Sequence, residues 1–407
     1  MKHKKFIVDS VLNLIAYAIP VFILHFLVMP YVNYRLNNSE LYGVLIAIVA
    51  LMNIFSHTFG NVLNNIRLIF DHKYKELDYE GDFNILVVVS SLITMVIMFF
   101  GTWYYEGGFE FVSISLVVIT SVFRLMNDYY SVSFRLVLNY KAILLNNIMM
   151  VIGYGIGTYL FIVIGYWQLI YFCGSLLSLI YVFNHSKLQT EKLARTPLFF
   201  HLSKDSVVLL VARLITNTIT QADKLILFPI LGAEWVSIYY AANIFTKAIS
   251  LVMTPFSNVM LSYISRIKKK PKKAFFYSLI GGSIFSLVAY ILCIIMAKPI
   301  LAIIYPKYME EALKLVYITS ATASISSLQR IIASFVLRFS KMRWQLIING
   351  TYLFVYLIVS FALLNLYGIM GLAIGVLISH IYQASIMIHI YLNNFDLDTI
   401  AGKSEML

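Results

Sequence analysis

The sequence predicts an all-α integral membrane protein of about twelve transmembrane helices in two six-helix bundles. Three observations carry this. The chain is 60% hydrophobic and only 12% charged, about half the charged share of an ordinary soluble domain. Its apolar residues gather into runs of about 20, the length that crosses the hydrocarbon core of a bilayer. Its basic residues fall mostly in alternate connectors, which is how a multi-pass chain is oriented.

Taken in order, the spans are expected at about residues 8–30, 41–66, 83–104, 109–130, 142–164, 168–184, 205–231, 234–264, 274–297, 312–337, 343–366 and 369–391. Leu36-Asn37-Asn38-Ser39 and Leu231-Gly232-Ala233 read as tight helical hairpins. One set of connectors and ends holds Lys2, Lys4, Lys5, Arg67, Lys73, Lys75, Arg135, Lys141, Lys187, Lys192, Arg195, Lys204, Arg266, Lys268, Lys269, Lys270, Lys272, Lys273, Arg338, Lys341, Arg343 and Lys403. The opposite set holds only Arg35, Lys298 and Lys307. An even span count keeps this alternation and puts both termini in the cytoplasm of a bacterial inner membrane. The first apolar run lacks a small-residue cleavage site and reads as a retained span.

The net charge of +12 is thereby explained by topology, and nucleic acid is not implied as a partner. Cys173 and Cys293 both sit inside apolar runs and form no metal-ligand spacing. The connectors leave no room for a soluble catalytic or nucleotide-binding domain, and no glycine-rich phosphate loop is present. A transporter without cofactor is the expectation, not an enzyme.

Two stretches are alike. Asn53-Ile54-Phe55-Ser56-His57 in span 2 matches Asn243-Ile244-Phe245-Thr246-Lys247 in span 8. The two spans hold the same place in a six-plus-six order and run in the same direction, as a parallel repeat requires. The halves are therefore expected at 1–195 and 196–407.

Charge at the bilayer centre costs roughly 2.5–3.5 kcal/mol on insertion scales, so charged residues there need water, a partner or a ligand. Span 7 carries Arg213, Asn217, Gln221 and Lys224 within an arc of about 80° at helical periodicity. Span 8 carries Asn243, Lys247, Ser250, Thr254, Ser257 and Asn258, and span 2 carries Asn53, His57, Asn61 and Asn64. Arg124 and Arg330 add cations inside spans 4 and 10. Asp128 and Asp223 are the acids near these depths. A net positive interior suits an anionic group, and Arg and Lys are the natural partners of phosphate oxygens. Asp223 and Asp128 are candidates to carry a coupling proton, and His57 could titrate. The plainer readings are polar contacts between packed helices and internal pairing of the cations with the two aspartates. Pro20 and Pro255 can kink spans 1 and 8, and Gly153, Gly155 and Gly157 suggest close helix packing in span 5.

Several stretches carry a family resemblance. Gln221-Ala222-Asp223-Lys224-Leu225-Ile226-Leu227, Leu231-Gly232-Ala233-Glu234 and Ile238-Tyr239-Tyr240-Ala241-Ala242 resemble the span 7–8 signature of polysaccharide repeat-unit flippases. These are the Wzx-type translocases of the multidrug/oligosaccharidyl-lipid/polysaccharide (MOP) exporter superfamily. Leu41-Tyr42-Gly43, Tyr305 to Tyr308 with Ala312, and Tyr367-Gly368-Ile369 with Gly371-Leu372-Ala373 agree with it, whereas Ser262-Tyr263 stands where relatives often place a proline. The resemblance implies a V-shaped cavity between the bundles. It implies an undecaprenyl-pyrophosphate-linked oligosaccharide as substrate, flipped from the cytoplasmic to the periplasmic leaflet for O-antigen, capsule or exopolysaccharide synthesis. It also suggests a proton or sodium gradient as the drive. We expect a functional monomer among membrane lipids, working beside polysaccharide polymerase machinery. A drug antiporter of the same superfamily, a membrane polymerase or glycosyltransferase, and a non-transporting scaffold are the rival readings.

Overall fold

The computed structural model describes residues 2–73, 80–264, 271–340 and 342–393. The side chains of Lys2, Lys4, Lys5, Lys73, Lys75, Thr254, Pro255, Asn258, Ser262, Tyr263, Arg266, Lys268, Lys269, Lys270, Lys341, Arg343 and Lys403 lie outside the described residues.

Every regular element among the described residues is helical. In chain order they are α1 (Lys2–Phe22), a π-helical turn (Ile23–Val28), α2 (Met29–Leu36), α3 (Ser39–Ile54), α4 (Ser56–Lys73), α5 (Glu80–Glu106), α6 (Phe111–Tyr130), α7 (Val132–Leu136), α8 (Tyr140–Ile164) and α9 (Gln168–His185). There follow α10 (Phe199–Leu231), α11 (Ala233–Ala242), α12 (Ile244–Ile264), α13 (Lys272–Ile304), α14 (Met309–Phe339) and α15 (Met342–Asn393). By length and composition eight stretches among the described residues can cross a membrane, or nine if the bent pair Ala233–Ala242 and Ile244–Met253 is one span. Three differences separate that count from the expected twelve. α15 is interrupted at Gly368, whose backbone is non-helical, so one assigned helix carries the two last expected spans. α10 and α14 are long enough, but polar residues interrupt their apolar runs. Each expected span thus coincides with a helical segment.

Local chemistry explains the breaks. The first hairpin closes with Asn37 in the left-handed region (φ 47°) and Asn38 as N-cap, its Oδ1 accepting the amides of Glu40 and Leu41 at 2.9 and 3.1 Å. The α10–α11 connector turns at Gly232, φ 92°. Spans 2 and 8 both break at the repeated pentapeptide: α3 gives way to α4 at Phe55, and α11 to α12 at Asn243, with a 45° bend at the second. Span 8 therefore bends at Asn243, ahead of Pro255. Pro20, without an amide donor, precedes the π-helical turn of span 1.

The chain forms two compact units, Met1–Glu234 and Trp235–Leu407. The first includes α10, which packs on α3 and α4. Its core gathers Phe59, Leu63, Ile66, Phe70, Phe83, Leu125, Tyr129 and Val182. α8 lies on α9 through Gly153 and Gly157. A Cβ there would meet the Cys173 carbonyl oxygen at 2.4 Å and the Leu169 carbonyl oxygen at 2.4 Å, whereas Gly155 faces open space. Small residues one turn apart are how membrane helices approach closely. Both cysteines are buried and free. In the second unit α14 packs against α12, α13 and α15. Phe275, Phe335 and Tyr391 close one end of it, with Phe275 stacked on Tyr391 at 4.0 Å. α13 leaves Ile284, Leu287, Ile291 and Ile295 exposed, an apolar face that suits lipid.

Candidate transport site

In the first unit α4 is the helix on which the polar residues converge. Its residue His57 places Nδ1 2.8 Å from Asp128 Oδ2 of α6. The next residue, Thr58, accepts a hydrogen bond from Asn217 Nδ2 of α10 at 2.6 Å. Two turns on, Asn64 donates to the Asp128 carbonyl at 2.7 Å, and Arg135 donates to Asn64 Oδ1 at 2.6 Å. Gly60 permits this approach, since a Cβ would lie 2.6 Å from the Leu125 carbonyl oxygen. Asn64 thus bonds a backbone carbonyl of α6 while its own side-chain oxygen accepts from Arg135.

Arg124 lies one turn before Asp128 on α6, and Arg213 lies one turn before Asn217 on α10. Because α6 runs with α4 and α10 against it, the two guanidinium-bearing positions bracket the His57–Thr58 level, roughly 13 Å apart along the helix axes. Arg124 is half-buried and Arg213 exposed, and neither has an ion pair among the described residues. Sequence reasoning did not see this bracket, because its rungs join α4 to helices 71 and 159 residues away.

The acids are already engaged. Asp128 faces His57, and Asp223 Oδ1 accepts from the Nζ of its neighbour Lys224 at 2.9 Å. Lys224 is buried, so this cation is held by its own carboxylate. Gln221 and Asn53 are half-buried and make no side-chain hydrogen bond among the described residues.

In the second unit Asn243 turns back on its own helix. Its Nδ2 donates to the Tyr239 carbonyl at 2.9 Å, beside the Asn243 backbone amide, which donates to the same oxygen at 3.0 Å. Lys247 follows one turn later, half-buried. Arg330 of α14 donates to Ser250 Oγ at 3.1 Å. Ser250 is three residues beyond Lys247, so both cations address one face of α12. A further network was not anticipated: His380 Nδ1 lies 2.7 Å from Gln329 Oε1, and Nε2 lies 3.3 Å from the Tyr352 hydroxyl. Its signal was available as a Gln and a His inside otherwise apolar spans.

At the end of the first unit that the basic connectors mark, the segment after α9 is fastened down. Arg67 meets Glu191 through two parallel bonds of 3.1 and 2.6 Å and lies over the Phe83 ring at 4.9 Å. Asn84 Nδ2 donates to the Leu188 and Glu191 carbonyls, and Asp82 accepts the Thr196 amide at 2.7 Å. Among the described residues no group of His, Cys, Asp and Glu could hold a metal ion.

These features define an all-helical multi-pass membrane protein with cations inside its spans. Searched against known proteins, no family model and no curated sequence matches the chain. Solved structures do. The lipid II flippase MurJ in an inward closed conformation aligns with TM-score 0.69 at 15% identity, over 97% of this chain and 87% of that one. The MATE transporter VcmN of Vibrio cholerae aligns with TM-score 0.63 at 13% identity over 96% of each. An inward-facing MATE transporter of the MOP superfamily aligns with TM-score 0.62 at 10% identity, over 93% of this chain and 92% of that one. The chain has the fold of MOP-superfamily transporters.

Proposed function

We propose that the protein flips a lipid-linked oligosaccharide with an anionic diphosphate headgroup, an undecaprenyl-pyrophosphate-linked repeat unit, from the cytoplasmic to the periplasmic leaflet. The observation that carries this reading is the charge balance of the first unit. Asp128 and Asp223 each lie within 3 Å of a nitrogen-bearing side chain, His57 and Lys224 respectively, while Arg124 and Arg213 make no ion pair among the described residues. Two guanidinium groups at two depths supply successive bidentate partners for phosphate oxygens. Lys247 and Arg330 supply a second pair on α12 and α14. The lipid II flippase fold supports a lipid-linked cargo. Substituting glutamine at Arg213 or Arg124 should each lose surface polysaccharide by 10-fold or more. That is about the 1.5–3 kcal/mol of a hydrogen bond to a charged group. Lysine at Arg213 should retain part of the activity. Membrane levels are read alongside by immunoblot. Wild-type polysaccharide from both glutamine variants would refute the assignment. Deleting the gene should leave lipid-linked repeat units on the inner leaflet.

The MATE likeness favours a second reading, a small-molecule antiporter. A carrier of cationic drugs needs an acid free to meet its cargo, and here Asp128 and Asp223 already face His57 and Lys224. Overexpression that raises drug resistance without changing polysaccharide would favour the antiporter.

For coupling we assign Asp128 with His57, ahead of Asp223. His57 is partly open, at 45% side-chain exposure, beside Asp128 at 22%, so an ion can reach the pair, and it ties α4 to α6. Asp128→Asn should uncouple flipping in proteoliposomes from an imposed proton or sodium gradient, leaving the ungradiented rate within twofold. Asp223→Asn should keep the gradient response. An Asp128→Asn protein that still responds fully would remove the pair from the coupling path.

A further inference from the structure

We propose that the cavity at the ends of α7, α8 and α9 binds the phosphate headgroup of an anionic phospholipid from the leaflet at that end, a site separate from the transport reading above. The cavity holds about 700 Å³ between the α7–α8 turn, the first turn of α8 and the end of α9. Lys141, Lys187 and His185 line it, and no aspartate or glutamate does. Neither lysine has an ion pair among the described residues. The His185 ring stacks on Tyr181 with centroids 4.2 Å apart, and its Nδ1 lies 2.9 Å from the Tyr181 carbonyl. Nδ1 is the donor in that bond, which leaves Nε2 as the ring's remaining polar atom. The nearby Arg135 is turned away onto Asn64 and Asn65.

A second observation points to lipid. α7 closes with the Leu138 amide on the Arg135 carbonyl at 3.1 Å and the Asn139 amide on the Phe134 carbonyl at 2.8 Å. This pair of bonds puts the residue after the helix in the left-handed region, and Leu138 stands there at φ 53°, a position that favours glycine. Val137 and Leu138 are 72% and 60% exposed. Val137 lines the cavity with Lys141 and Lys187, and Leu138 follows it in the chain, so exposed aliphatic side chains adjoin the lysines as at an interface where acyl chains cover the first and phosphates meet the second. Free phosphate would account for the lysines and leave the exposed leucine without a role.

The test uses the full-length protein in neutral detergent, titrated with phosphatidylglycerol, phosphatidylcholine and inorganic phosphate, with bound lipid counted by native mass spectrometry. One phosphatidylglycerol should be retained, and Lys141→Ala with Lys187→Ala should weaken it tenfold or more at unchanged melting temperature. Leu138→Gly, which relieves the backbone, should weaken retention severalfold without loss of stability, and it keeps the comparison available if the double variant is not recovered. Equal retention of both lipids, or wild-type retention by the variants, overturns the proposal. Displacement of the lipid by millimolar inorganic phosphate overturns it in favour of a free-phosphate site.

Discussion

Arg67→Met should destabilise the first unit by about 3–5 kcal/mol, the cost of leaving one member of a buried ion pair without its partner. The side chains of Arg67 and Glu191 are only 3% and 10% exposed, so Glu191 could not recover its lost bonds from bulk water. The substitution also removes the guanidinium from the Phe83 face. The effect should spread along the segment after α9, because Asn84 reaches the Leu188 and Glu191 carbonyls from the same side. Gly81 offers a bare backbone there, and a Cβ on it would lie 2.5 Å from the Lys192 carbonyl oxygen. Glu191→Gln should cost less, since an amide can still accept from the arginine. The informative variant is Arg67→Met with Glu191→Met together. An apolar pair in place of a buried ion pair is often neutral, so the double variant should regain more than half of the loss. Thermal unfolding in detergent measures all three, and a double variant as unstable as Arg67→Met alone would mean that the bridge is not the fastening element.

How much of this was visible beforehand depends on the distance over which each feature acts. The spans were legible because lipid imposes a uniform demand on every residue of a helix, and the breaks at Asn37 and Gly232 were legible because their chemistry is local. The close packing read from the glycines of span 5 holds at Gly153 and Gly157 and not at Gly155, since only one helix face meets α9. The Asp223–Lys224 pair was within reach because its members are adjacent. The His57–Asp128 and Arg67–Glu191 pairs were not, being 71 and 124 residues apart. Arg67 in particular read as one more basic connector residue, because composition cannot tell a solvated cation from a buried one.

The repeated pentapeptide shows a subtler limit. In sequence it marks a parallel repeat, and Asn53, His57, Asn243 and Lys247 within it also belong to the polar stripes of spans 2 and 8. In both copies it falls where one helix ends and the next begins, and at the second copy the chain bends by 45°. Asn243 bonds the Tyr239 carbonyl of its own chain segment, and His57 makes a contact with α6. The same residue types follow from either role, because a broken helix and a wet cavity both need side chains that can replace lost hydrogen bonds. A donor turned back on its own helix and one offered to a ligand differ only in the direction of the side chain, which residue type does not encode.

The same alanine substitution should act in opposite directions at two helical glycines. At Gly43 an added Cβ would lie 1.8 Å from the Ala233 carbonyl oxygen and 2.5 Å from its carbon. Neither atom belongs to a side chain that could swing aside, so the α10–α11 connector would have to withdraw from α3 by more than an ångström. That connector is the turn at Gly232, and its withdrawal would drag the end of α10 from its contacts with α3 and from the Tyr105–Phe228 edge contact at 4.7 Å. At Gly155 nothing lies within 4 Å, and alanine is favoured over glycine in a helix interior by about 1 kcal/mol. Gly43→Ala should therefore cut the amount of folded protein recovered from membranes severalfold and lower its melting temperature, while Gly155→Ala should match or exceed the unaltered chain. Gly43 and Ala233 come from two stretches, Leu41-Tyr42-Gly43 and Leu231-Gly232-Ala233, that look unrelated in the sequence. Their meeting supplies a steric reason for both, so a Gly43→Ala protein with full stability would show that α3 does not rest on this connector.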